Sequence, residues 1–166
     1  MIAEHKGRQQ AARTEQHEIA VFQLAHLVCG LNIADVQEIN KDLDVTTVYQ
    51  APDYVAGIIN LRGQIVSIID LATRLGLQHR QGHSGGRNVI VNAQGERIGL
   101  IVDEIDDIIT VDSQHILPRP PNINAWLRSF VQGVVQRGSE LVLILDVEAL
   151  TRIDANDQGP KKAAQT

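Results

Sequence analysis

The sequence predicts a mainly β domain with a few short helices, and three features carry that prediction. From residue 19 to 152 the chain is a succession of short apolar runs rich in Ile and Val, broken by Gly, Asn, Asp and Pro. Turn signals sit between the runs. One strand–turn–strand unit also occurs twice, because GIINLRGQIVSIIDL at 57–71 aligns without gaps on GVVQRGSELVLILDV at 133–147.

Residues 1–18 are polar, with no repeating apolar face, and are expected to form a flexible arm. Strands are predicted at 19–25, 28–33, 36–40 and 45–49. Pro52 can open and Gly57 can close a helical turn at 52–56. Strands 57–61 and 64–69 follow, joined at Arg62-Gly63. Asp70 can cap a helix at 71–75, stopped by Gly76. Residues 78–86, QHRQGHSGG, read as a Gly-rich connection. Strands 87–93 and 97–102 flank Asn92-Ala93-Gln94-Gly95, where Gly95 is free to take a positive φ. After strand 105–111 comes a long connection, QHILPRPPNINAWLRS. In it Asn124 can cap a helix at 125–131, with Trp126, Leu127, Phe130 and Val131 on one face. Strands 132–136 and 140–145 turn at Gly138-Ser139, and Asp146 can cap a last short helix. Residues 153–166 are polar again and read as a flexible tail.

A second repeat places GLNIADVQEI at 30–39 on GLIVDEIDDI at 99–108. The copies are displaced by 69 residues in this block (30 to 99) and by 76 in the other (57 to 133). The expected organisation is one domain, 19–152, made of related subdomains at about 19–80 and about 87–152. Ungapped, Arg62 faces Gly138 and Leu61 faces Arg137, so the arginine is read as peculiar to the first half.

Composition excludes several functions. With 43% hydrophobic residues in 166, the chain can bury a sizeable core. A net charge of −5 and five aromatic residues argue against nucleic acid as a partner. Cys29 is the sole cysteine, so no internal disulfide and no Cys-rich zinc site can form. The N-terminus lacks the apolar segment of a signal peptide, and no run is long enough to insert in a membrane, which predicts a cytoplasmic protein.

The run Phe22-Gln-Leu, Gly30-Leu-Asn-Ile, Val36-Gln-Glu-Ile39, Gly57-Ile-Ile-Asn-Leu-Arg-Gly63 and Ile68-Ile-Asp-Leu71 resembles the CheW chemotaxis coupling proteins. Gly99-Leu-Ile-Val-Asp103, Val111, Ile116-Leu-Pro118, Gly133-Val and Leu143-Ile-Leu-Asp146 extend the likeness to residue 152. The resemblance implies two intertwined five-stranded SH3-like β-barrels. It implies a non-enzymatic adaptor, recruited to membrane-associated receptor arrays, that joins the cytoplasmic tips of chemoreceptors to the regulatory domain of a CheA-type histidine kinase. It further implies a receptor-facing surface at Val36, Glu38, Ile39, Gly57, Arg62, Gly63 and Gly99. Ile108, Val111, Gly133 and Val134 are assigned to a kinase-facing surface, or to the interface of the second barrel, by their place in the second repeat. An adaptor of another chemosensory pathway, for surface motility or biofilm, shares these features. Between the first two strands, Leu27 and Val28 stand where the family has a polar hairpin.

Other chemistry is weaker. Gly82-His83-Ser84-Gly85-Gly86 matches the G-x-S-x-G of serine hydrolases, which would make Ser84 a nucleophile, but a polar stretch precedes it and a strand follows, the wrong context for a nucleophile elbow. His79 and His83 fall in the same connection with no carboxylate close in sequence, so no metal is expected. Asp103, Glu104, Asp106 and Asp107 alternate with Ile105 and Ile108 as a solvated strand face does. Pro118-Arg-Pro-Pro121 reads as a stiff connection. No catalytic residue, cofactor or small-molecule substrate is expected. Glu38 and Arg62 remain. As an exposed pair they would add little stability, yet the rigid planar fork of an arginine can fix the shape of a docking surface.

Overall fold

A computed structural model describes residues 15–41, 43–79 and 86–153. β1 (Gln16–Leu24) and β2 (Leu27–Asn32) form a hairpin, and a 3-10 turn at Ile33–Asp35 leads to β3 (Val36–Lys41). β4 (Val55–Leu61) and β5 (Gln64–Asp70) form the next hairpin, followed by α1 (Leu71–Arg74). β6 (Arg87–Ala93) and β7 (Glu96–Val102) pair in turn, and β8 (Glu104–Asp112) leads through a 3-10 turn at Ser113–His115 to α2 (Ala125–Arg128). β9 (Val131–Arg137), β10 (Glu140–Leu145) and α3 (Val147–Thr151) complete the chain.

The strands make two five-stranded sheets, ordered β8-β1-β2-β10-β9 and β3-β6-β7-β5-β4. We call them the terminal and the central barrel. Replacing β1–β5 by β6–β10, and the reverse, converts one order into the other. The internal repeat is therefore a structural pseudo-two-fold with its parts exchanged. The first hairpin of each half sits in one barrel, while the third strand and last hairpin of that half sit in the other. Each sheet draws strands from both sides of the 78–86 connection. The two parallel pairings, β2 with β10 and β5 with β7, join the halves.

Three apolar clusters explain why the strands read as continuous runs rather than alternating ones. Ile19, Val21, Val111, Val135, Val142 and Ile144 fill the terminal barrel, and Ile59, Leu61, Val66, Ile68 and Ile90 fill the central one. The intervening residues, among them Phe22, Leu31, Ile69, Val89, Leu100, Leu143 and Leu145, meet in a third cluster shared by both sheets. Central strands are thus buried on both faces, as the run Val142-Leu-Ile-Leu145 requires.

Local expectations hold at most turns. Asp70, Asn124 and Asp146 each cap the helix that follows, accepting from Thr73 N–H (3.2 Å), Leu127 N–H (2.8 Å) and Glu148 N–H (3.0 Å). Other details differ. β1 begins at Gln16, inside the expected arm, because His17 and Glu18 pair with Val111 and Thr110. The 45–49 segment is no strand; Thr46 alone bridges Ile58. The expected helical turn at 52–56 is a single turn from Val55 N–H to the Pro52 carbonyl, after which β4 starts at once. Leu27 and Val28 lengthen β2, and Leu27 packs on the shared cluster, so the tip is a tight Ala25-His26 turn. Asp103 Oδ2 accepts from the Ala25 N–H and holds that tip to the β7–β8 crossing (2.6 Å).

Candidate functional site

Arg62 (φ +51°) and Gly63 (φ +85°) form the two-residue turn whose twist suits a hairpin, and Asn60 Oδ1 accepts from Gly63 N–H at 2.9 Å. The guanidinium stays exposed, with Nη2 2.9 Å from Glu38 Oε2. Glu38 lies on β3, whereas the Arg62 turn ends β4, and these strands are the two edges of the central sheet. The ion pair therefore clasps the seam of the barrel. Asn40 Nδ2 donates to the other Glu38 oxygen at 2.9 Å. That hydrogen bond first, opposed by burial and then reinforced by Arg62 and Arg97, holds the Glu38 carboxyl below its ordinary range.

The terminal barrel carries the same device. Arg137 Nη2 lies 2.8 Å from Glu140 Oε2 and 2.8 Å from Asp106 Oδ2, and these carboxylates, Glu140 first, push the pKa of the arginine further up. Asp106 is on β8 and Arg137 ends β9, again the two edges of one sheet. In the ungapped alignment Arg137 faces Leu61 and Asp106 faces Gln37, so both partners have moved back one residue together. Read position by position, the arginine had seemed peculiar to the first half; the clasp corrects this, since it recurs with its register shifted.

Some exposed aliphatic residues also recur at equivalent positions. Ile39 (43% exposed) and Ile65 (67%) in the central barrel correspond to Ile108 (59%) and Leu141 (53%) in the terminal one. Of the receptor-facing candidates, Glu38 and Arg62 are brought together by the clasp, with Gly63 in the same turn; Ile39 is exposed on the same strand but, by strand alternation, faces the other way from Glu38, and Val36 is half-buried there. Gly57 and Gly99 lie inside. A Cβ on Gly57 would collide with the Thr46 carbonyl, and one on Gly99 with Ile68 Cδ1. Of the kinase-facing candidates Ile108 is exposed, whereas Val111 and Val134 are core residues. Gly133 is buried where a Cβ would come within 2.7 Å of Ile116 Cγ2 and 2.9 Å of the Leu117 carbonyl. These glycines admit a crossing chain or a neighbouring side chain. A Gly133→Glu variant therefore tests folding before it tests docking.

The remaining motifs are occupied structurally. Ser84 and His83 lie outside the described residues. The flanks of that stretch are an irregular segment after α1 and strand β6, not the strand and helix of an elbow. His79 Nε2 is 2.8 Å from Asp70 Oδ2, the capping carboxylate. No group of three His, Cys, Asp or Glu side chains suited to a metal occurs among the described residues. Burial pushes the Cys29 thiol up to about 12, leaving it an inert core residue. No helix among the described residues is long and apolar enough to cross a membrane.

The chain is similar to known proteins along nearly all of this fold. The model of the CheW-like domain matches residues 18–154. A chemotaxis protein CheW of Treponema pallidum is 34% identical over 150 residues, covering 88% of each chain. One from Klebsiella aerogenes is 33% identical over 143 residues, covering 84% of each. The crystal structure of the scaffolding protein TtCheW from Thermoanaerobacter tengcongensis superposes with a TM-score of 0.77 at 35% identity, over 85% of this chain and 96% of that one. By family model, sequence and fold together, this chain belongs to the CheW family.

Proposed function

We propose that this chain is a chemotaxis scaffold, without catalytic activity, that couples chemoreceptors to a CheA-type histidine kinase. The observation that carries this reading is the recurrence in each barrel of an arginine–carboxylate clasp joining the two edge strands, together with exposed aliphatic side chains at equivalent positions. A coupling protein needs two docking surfaces, and the paired clasps support reading one on each barrel. The relatives named chemotaxis protein CheW support the pathway.

In this reading the receptor tip meets the central rim at Val36, Ile39, Gly63 and the Glu38–Arg62 clasp. The regulatory domain of the kinase meets the terminal rim at Ile108, with Leu141 added from the structure. Gly57, Gly99, Val111, Gly133 and Val134 act from beneath, by holding the strands that carry these rims. The protein works in the cytoplasm at membrane-associated receptor arrays.

The decisive variant is Arg62→Ala. Exposed ion pairs contribute little to stability, so its melting temperature should stay close to that of the parent. Receptor-dependent kinase stimulation should fall, as read in reconstituted arrays of receptor, kinase and adaptor. Normal stimulation by the folded variant would rule out the central rim as the receptor surface.

A further inference from the structure

At the pseudo-two-fold, where the two halves meet, symmetry is broken by one side chain. Tyr54 and Phe130 are counterparts: the Tyr54 carbonyl accepts from Asp70 N–H at 2.7 Å, and the Phe130 carbonyl from Asp146 N–H at 2.8 Å. The same 76-residue displacement carries α1 onto α3 and Arg74 onto Leu150. Leu150 is fully buried, and Arg74 is 3% exposed. One half places an aliphatic side chain at the axis, and the other places a guanidinium.

That guanidinium spans the two barrels. Its Nε donates to the Leu150 carbonyl (3.1 Å), and Nη2 donates to the carbonyls of Ala149 (3.3 Å) and Arg152 (2.8 Å). These are the carbonyls that the end of α3 leaves without helical partners. The cation lies 4.2 Å from the centre of the Tyr54 ring, 4.9 Å from Phe130 and 6.0 Å from Trp126. Trp126 Nε1 in turn donates to the Arg74 carbonyl at 2.9 Å. Tyr54 and α1 flank the central barrel's last hairpin, whereas α2, Phe130 and α3 flank the hairpin of the terminal barrel.

Packing alone does not demand this. Leu150 shows that an aliphatic side chain fills the equivalent place, and burying a cation carries a desolvation cost that an aliphatic residue avoids. Apolar contacts tolerate sliding, whereas a planar fork of donors on three carbonyls admits one geometry. We propose that Arg74 is a positioning residue that locks the two barrels, and with them the two docking rims, in one relative orientation. The part concerning the rims rests on the adaptor function proposed above; the lock itself does not.

The test uses the full chain with Arg74→Leu and, as a second variant, Arg74→Met. Distances between spin labels on Ile65→Cys and Leu141→Cys, one on each rim, should be narrowly distributed in the parent and broader in the variants. Emission from Trp126, the sole tryptophan, should shift with them. Binding to receptor alone and to kinase alone should stay within about threefold, while receptor-dependent kinase stimulation drops about tenfold or more. An unchanged distance distribution overturns the lock, whereas full stimulation by a variant with a broadened distribution overturns its role in setting the docking rims. Failure of both variants to fold overturns it too, because Arg74 would then serve stability. If the parent binds neither partner, the adaptor function fails while the spin-label result still decides the lock.

Discussion

Single residues show where local chemistry sets behaviour. Asp35 sits at the crossing between β2 and β3, and its carboxyl is pushed up, first by burial and then by Asp146 and Glu148. Its ionised form is therefore less favourable in the folded chain than in the unfolded one. That penalty is present above the folded pKa and disappears as pH falls below the ordinary value of 3.8. Asp35→Asn should melt slightly above the parent at pH 7, by about 0.5 kcal/mol or less since the site is partly screened. The gap should close in melts at about pH 3; a gap that persists there would point to packing instead. At this scale the sequence was legible where a residue serves its own neighbours. Asp70, Asn124 and Asp146 were recognisable as caps because the bond they make is three residues long or less. Arg137 was missed because its partner is 31 residues away and shifted by one position relative to Glu38 and Arg62. The signal was there, in the carboxylates of β8 and the arginine next to Gly138, but an ungapped comparison hides a pair that moves together.

At the level of elements, the strands were readable and their partners were not. The ranges 87–93 and 140–145 match β6 and β10 because turn residues bound them closely on both sides. The 45–49 segment failed because extended propensity without a continuous ladder partner yields one bridge and no strand. Which sheet a strand joins depends on contacts tens of residues away, and local periodicity carries no record of them. The pseudo-two-fold makes a quantitative claim about elements. Gly30 of β2 is closed in by Ile19 Cγ2 and Val142 Cγ1, and Gly99 of β7 by Ile68 and Ile90 Cδ1. A methyl group at either position overfills the interior of its own barrel. Gly30→Ala and Gly99→Ala should each lose about 1–3 kcal/mol, and by similar amounts, in urea denaturation. Losses differing severalfold would mean that the two barrels are not packed alike.

For the whole molecule, barrels that exchange strands and share a cluster cannot melt separately. One transition is expected, with calorimetric and van't Hoff enthalpies equal and with Trp126 fluorescence coincident with far-ultraviolet dichroism. Two resolved transitions would show the barrels to be independent. The exchanged topology also governs how the chain is made. Apart from the four hairpins, every strand pairing in the two sheets joins one half to the other: β1 with β8, β2 with β10, β3 with β6 and β5 with β7. When residue 79 leaves the ribosome, two hairpins and a lone strand exist with no sheet to complete. Their edges are covered in turn, β3 by β6, β5 by β7 and β1 by β8, and β2 waits until residue 144 for its last neighbour. The edge left open longest is thus that of β2, which stays unpaired on one side while the longest connection, between β8 and β9, is being translated.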